Sequence, residues 1–122
     1  MTDMLKVVVK RSEWIRGDPH HSALLTPEGL KCCLGFACLV AGLEPSQIKG
    51  ICSPGGVIKN GHTWPKSLAE LASPVSPGSG DYNTPVCYDL MIANDMGSID
   101  DAREARIKVL GLKAGIAFEF ED

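Results

Sequence analysis

The sequence predicts an α+β fold: a single small domain in which a short antiparallel sheet, including both terminal strands, is packed by three to four short helices. Apolar and polar residues alternate near both ends of the chain, as in strands with one buried face. Between these ends, apolar residues recur at helical spacing, and Gly or Pro separates the segments. The 122 residues give room for one domain with a single core.

The N-terminal elements are predicted from β-branched residues and from chain breakers. Segment Leu5–Lys10 contains three consecutive valines, which favour a strand. Segment Ser12–Arg16 is expected to form a helical turn that directs Trp14 inward. Residues 23–32 carry Pro and Gly at the positions of a tight turn, which predicts a short hairpin. This hairpin would deliver Cys33 to the start of a helix.

A helix is predicted over Cys33–Ala41, with Gly42 supplying the left-handed conformation that stops it. Gly35 lies inside this helix, although glycine costs a helix interior about 1 kcal/mol relative to alanine. We therefore expect close packing against the backbone at Gly35.

The middle of the chain is predicted to contain three short helical segments, at 45–49, 64–72 and 86–93. The glycine- and proline-rich segments 50–62 and 73–85 are predicted to be loops. Loops of this length in a small domain are usually either binding surfaces or disordered. The sequence leaves both possibilities open.

The last helix is predicted to begin with Ser98 as its cap and to run to about Lys113. Glu104 and Lys108 are expected to pair four residues apart along it. Its buried stripe is predicted to consist of five apolar residues, namely Ile99, Ala102, Ala105, Val109 and Leu112.

The last strand is predicted from the alternation that begins at Ile116 and continues to the terminus. We expect it to pair with Leu5–Lys10, so that lysines on one strand face glutamates on the other. The helices are expected to cover one face of this sheet.

Composition and charge exclude several classes of function. The formal net charge is −3 and the twelve Lys and Arg residues are scattered, which argues against nucleic-acid binding. No apolar stretch approaches the roughly 20 residues that cross a membrane, and we expect no signal peptide. Five cysteines, two of them adjacent, argue against a disulfide framework. The sequence therefore predicts a cytoplasmic protein without a membrane or nucleic-acid partner.

Three of the five cysteines, Cys32, Cys33 and Cys38, lie at the start and in the first turns of the predicted helix. A helix start stabilises a thiolate, so Cys33 is a candidate nucleophile with His62 as its general base. Asn94 or Asp95 would orient the imidazole, in the chain order of papain-like hydrolases. The alternative is that these cysteines fill the core, where thiols are inert. No Cys-x-x-Cys pair and no pair of histidines three to five residues apart is present, which argues against a zinc site. No metal and no cofactor is predicted.

Four residues are candidates for ligand contacts, namely Asn94, Asp95, His62 and Trp64. Polar loop residues beside a pocket often contact a ligand. The competing explanation is structural, because Asn and Asp also stabilise turns and Trp also anchors a core.

Several short motifs carry a resemblance to known proteins. They are Trp14-Ile-Arg-Gly17, Leu24-Leu25, Cys32-Cys33-Leu34-Gly35-Phe36, Leu90-Met91-x-x-Asn94-Asp95, and Arg103-Glu104-Ala105 with Gly115-Ile116. With these motifs the chain resembles a group of short uncharacterised proteins of phages and their bacterial hosts, over most of its length. The resemblance implies a phage or prophage setting, in which proteins of this size commonly bind a host protein or a small signalling molecule.

The sequence thus favours a non-enzymatic phage-type accessory protein that binds a host protein or a small ligand through loops 50–62 and 73–85. On this hypothesis Cys33 is buried and unreactive. The first alternative is a hydrolase or transferase that uses an accessible Cys33 with a histidine base. The second is a structural protein that self-associates through the edge of a terminal strand. The chain is expected to be a monomer or a homodimer, in the host cell cytoplasm if it is phage-encoded.

Overall fold

The structure, a computed structural model, describes residues 4–18, 22–73, 82–97 and 99–122. Within these ranges it contains two strands and five α-helices, with short 3-10 turns at Arg11–Glu13 and Lys66–Leu68. The elements are β1 (Leu5–Lys10), α1 (Cys33–Val40), α2 (Pro45–Ile48), α3 (Pro54–Lys59), α4 (Pro85–Asp95), α5 (Asp100–Lys113) and β2 (Ile116–Glu121). All the helices therefore lie between the two strands in the chain.

The two strands pair with each other over six residues, with Leu5 opposite Ile116 and Lys10 opposite Glu121. They run parallel, so the predicted antiparallel sheet is wrong. Alternation shows which face of a strand is buried but carries no information on its direction. Parallel strands need a crossover of a dozen or more residues, and segment 11–115 supplies it.

Lysines of β1 face glutamates of β2 across the sheet, as predicted. Lys6 Nζ lies 3.4 Å from Glu119 Oε2, and Lys10 is opposite Glu121 in the register. Both side chains of the first pair are more than half exposed, so their contact contributes at most about 1 kcal/mol. These contacts mark the outer face of the sheet as polar.

The inner face of the sheet carries the apolar side chains and packs against α1 and α5. Its four buried residues are Val7, Val9, Ile116 and Phe118. α1 approaches Leu24 so closely that a Cβ added at Gly35 would overlap the Leu24 carbonyl oxygen. The close packing predicted at Gly35 is thereby confirmed. Gly111 has the same role in α5, where a Cβ would overlap the Phe118 ring.

The number of helices exceeds the predicted three to four. The fifth is α3, which forms inside segment 50–62 and buries Val57, so the prediction of a loop over that whole segment is wrong. Pro54 lies in the first turn of α3, where its fixed φ suits the helix. The prediction of a loop gave more weight to the glycines of the segment than to this signal of a helix start. Segment 64–72 contains only a 3-10 turn, although Leu68 and Leu71 are buried as expected.

The predicted hairpin at 23–32 is a loop that reverses the direction of the chain, and its two arms are not strands. The Cys32 N–H donates to the Ala23 carbonyl at 3.1 Å and so closes the loop. Its two arms form isolated bridges with other segments, Trp14 with Lys31 and Leu25 with Lys49.

α5 has the predicted length but turns a different face to the core. The residues of the predicted stripe are exposed, with Ile99 at 67%, Val109 at 51% and Leu112 at 57%. The buried residues of α5 are instead Arg103, Glu104, Ile107, Leu110 and Gly111. The predicted buried stripe is therefore wrong.

The polar contacts of α5 also differ from the predicted ones. Glu104 forms an ion pair with Arg11, whose Nη2 lies 2.8 Å from Glu104 Oε1, rather than with Lys108. The Lys108 ammonium lies 5.9 Å from the centroid of the Phe120 ring. The predicted cap Ser98 lies outside the described residues.

Candidate functional site

Asn94 is 1% exposed and lies where three segments of the chain meet. Its Oδ1 accepts hydrogen bonds from Trp14 Nε1 at 2.7 Å and from the Cys33 backbone N–H at 3.0 Å. Its Nδ2 donates to the Ile15 carbonyl at 3.0 Å and to Asp95 Oδ1 at 2.8 Å. This one amide therefore ties the end of α4 to the start of α1 and to the segment after β1.

The hydrogen bonds of Asn94 use its full capacity, because an asparagine amide has two acceptor lone pairs and two donor hydrogens. α1 has no capping side chain at Cys32, and a helix start leaves several N–H groups without intrahelical partners. Asn94 supplies this missing cap from α4. A ligand contact at Asn94 would have to displace one of the four bonds.

The thiols of α1 lie in the core, as the non-enzymatic hypothesis expects. Cys33 and Cys38 are fully buried, and Cys32 is 4% exposed. Burial raises the pKa of Cys32 to about 12 and the pKa of Cys33 well above its ordinary value. A helix start normally favours a thiolate, but desolvation dominates here. The prediction that Cys33 is buried is confirmed, and its thiol is held in the protonated form.

The structure brings together only part of the predicted site. Asn94 and Asp95 adjoin the start of α1 at Cys33, and Asp95 is half-buried. His62 follows α3, where its backbone N–H donates to the Val57 carbonyl at 3.2 Å. No hydrogen bond connects its imidazole to Cys33 within the described part of the chain.

Trp64 has a local structural contact, since its Nε1 donates to the Leu68 carbonyl at 2.8 Å. The described residues contain no group of three or more His, Cys, Asp or Glu side chains able to hold a metal ion. The candidate residues therefore do not converge on one pocket.

A different site lies between α4 and α5, which are joined by a short link at 96–99. We call it the α4–α5 groove, a cavity of about 480 Å³. Its apolar rim consists of Ile92, Met96 and Ile99, which are 59%, 56% and 67% exposed. The small residues Ala93, Gly97 and Ala102 form the rest of its apolar lining. Each of these three apolar residues is thus more than half exposed to solvent at the edge of the groove.

Three charged residues also line the α4–α5 groove, and two of them are exposed. Asp89 lies on the α4 wall and Arg106 on the α5 wall. Neither forms an ion pair with a described residue. Each wall therefore presents one uncompensated charge, negative on α4 and positive on α5.

The third charged residue, Arg103, is nearly buried and braces the link between the helices. Its guanidinium hydrogen-bonds to the Asp100 carboxylate and to the Gly97 carbonyl. Arg16 lies 3.1 Å from the same carboxylate, and Arg16 together with Arg103 holds the pKa of Asp100 below its ordinary value. Arg103 is consequently a structural cation rather than a free one.

Sequence reasoning missed the α4–α5 groove, although a signal for it was present. α5 carries two apolar lines at helical spacing, one through Ile99, Ala102 and Val109 and another through Ile107 and Leu110. A helix on a two-stranded sheet can turn only one of these lines to the core. The other line therefore indicates a second packing surface.

Comparison of the chain with protein-family models, with curated proteins and with solved structures finds no match. In the described ranges, every helix is too short or too polar to cross a membrane.

Proposed function

We propose that the protein is a non-enzymatic binding domain and that its α4–α5 groove docks another protein. The observation that carries this proposal is the exposure of Ile92, Met96 and Ile99, each more than half in water around a single hollow. Single exposed apolar residues are ordinary, but clustered ones around a groove mark interaction sites.

The shape of the groove favours a protein over a small molecule as its occupant. Small-molecule sites bury most of the ligand between concave walls. Here the rim side chains project into solvent themselves, so a small ligand would leave Ile92 and Ile99 largely uncovered. A helix or a flat apolar face covers such a rim, as in helix-in-groove recognition.

The chemistry of the groove favours binding over catalysis. Its ionisable lining residues are Asp89, Arg103 and Arg106, and none of the described cysteines and histidines lines it. The candidate nucleophile Cys33 lies in the core with a raised pKa. A nucleophile needs access to substrate and a base within hydrogen-bond reach.

The proposed surface differs from the loops that the sequence favoured. Segment 50–62 contains α3, and most of segment 73–85 lies outside the described residues. The proposed site of action is the cytoplasm, because all five cysteines are free and four of them are packed inside the domain. The phage setting implied by the resemblance stays a prediction.

The proposal is tested by affinity capture with the tagged full-length chain in the cells that naturally express it. We expect the wild-type chain to retain a protein that the variants Ile92→Glu and Met96→Glu do not retain, because a buried charge opposes docking. Val40→Glu is the matched control, since Val40 is 48% exposed on α1 and does not line the groove. Identical captured proteins with all four chains would overturn the proposal.

A further inference from the structure

We propose that the protein docked in the α4–α5 groove is a second copy of this chain. The two copies would form a two-fold dimer in which Asp89 of each contacts Arg106 of the other. This inference rests on the proposed function, since it names the occupant of the same groove.

The two charges lie at comparable positions along the groove. Asp89 is six residues before the end of α4 at Asp95, and Arg106 is six residues after the start of α5 at Asp100. The two helices contact each other and form opposite walls of the groove. At about 1.5 Å per residue, both charges are therefore about 9 Å from the link, on opposite walls.

A two-fold axis along the groove makes these charges complementary. Rotation by 180° about such an axis places α4 of one copy over α5 of the other. Asp89 then faces Arg106 of the second copy, and Arg106 faces its Asp89. In a two-fold interface every contact occurs twice in this reciprocal form. The surface is thus self-complementary in charge.

The remaining lining residues fit the same arrangement. Ile92, Met96 and Ile99 of one copy project toward the hollow between the helices of the other, where small residues leave space. Arg103 adds little repulsion because it is nearly buried and its guanidinium hydrogen-bonds to the Asp100 carboxylate and the Gly97 carbonyl of its own chain. The overall charge of −3 is also too small to oppose association strongly.

A partner with a surface of one charge fits the groove less well. An acidic surface would pair with Arg106 but oppose Asp89, and a basic surface would do the reverse. Like charges brought together at an interface oppose binding. The occupant therefore has to present a positive charge to Asp89 and a negative charge to Arg106, as a second copy of the chain does.

The test is sedimentation of the purified full-length chain between about 5 and 500 µM. We expect a reversible wild-type dimer, and we expect Asp89→Arg and Arg106→Asp each to raise its dissociation constant by at least about tenfold. An equimolar mixture of these two variants should restore the dimer, because every contact then joins opposite charges. Asp101→Arg is the matched control, as this exposed residue of α5 does not line the groove.

Two outcomes would overturn the inference. One is a monomer at every wild-type concentration, and the other is a dimer that the two groove substitutions leave unchanged or that their mixture fails to restore. Failure here is distinguishable from failure of the proposed function. A monomer that still captures another protein through Ile92 keeps the proposed function and excludes the second copy as occupant.

Discussion

A single buried amide joins parts of the chain that are far apart in sequence. Asn94 receives hydrogen bonds from Trp14, 80 residues away, and from Cys33, 61 residues away. The sequence identifies Asn94 as a polar residue near a turn but carries no sign of these partners. Side-chain partners so distant are fixed by the tertiary fold, which local patterns do not contain.

We expect Asn94→Ala to lower the free energy of unfolding by about 3 kcal/mol or more, because the buried donors of Trp14 and Cys33 lose their acceptor. Urea denaturation measures this change. Asn60→Ala is the matched control, since the Asn60 side chain makes an exposed hydrogen bond to the Gly56 carbonyl, and its effect should stay within about 0.5 kcal/mol. Equal effects of the two substitutions would show that the amide of Asn94 is not structural.

The burial of the cysteines leads to a prediction about the reactivity of their thiols. In the folded protein, about one thiol per chain should react rapidly with iodoacetamide at pH 8, because Cys52 is exposed and the other four cysteines are buried. Cys52→Ser should remove this reaction, and the remaining thiols should react only after unfolding. Mass spectrometry locates the modified residue. Rapid native modification of Cys33 would revive the enzymatic alternative.

At the scale of elements, ion pairs connect α5 and the start of the chain. Arg11 donates to both carboxylate oxygens of Glu104 at 2.8 Å, and its Nη1 lies 2.9 Å from Asp122. The Glu104 side chain is 12% exposed and Arg11 holds its pKa below the ordinary value. This bidentate contact ties α5 to the segment that follows β1.

Arg11→Gln should lower the free energy of unfolding at pH 7, because Glu104 loses its cation while most of its side chain stays out of water. A carboxylate with a depressed folded pKa stabilises the fold above its unfolded pKa of about 4.3 and loses this contribution as pH falls through the folded pKa. The difference between wild type and variant should therefore shrink below about pH 4. Urea denaturation across the pH range measures it, and a constant difference would contradict the account.

The two strands and α5 show which features of the fold the sequence pattern predicts and which it does not. The alternation at Leu5–Lys10 and from Ile116 identifies both strands and their pairing, since burial of one face dictates a period of two. It leaves their direction undetermined. In α5, the helical period identifies two lines of apolar residues but does not show which line packs against the core. The prediction that Ile99 and Val109 are buried is wrong for this reason.

In the molecule as a whole, the buried core is separate from the proposed docking surface. The cysteines of α1, with Asn94, hold the helices together inside the fold. The α4–α5 groove lies outside this core, with its apolar rim in water. The sequence predicts a binding protein, but the location of the groove depends on how α4 and α5 pack.

The most direct test of the central claim is site-specific photocrosslinking in the cells that express the chain. Benzoylphenylalanine is placed at Ile92, at Ile99 or, as the control, at Val40. We predict a discrete covalent adduct with a protein from the two groove positions and none from the control. Absence of adducts at Ile92 and Ile99, or an equal yield at Val40, would contradict docking in the α4–α5 groove.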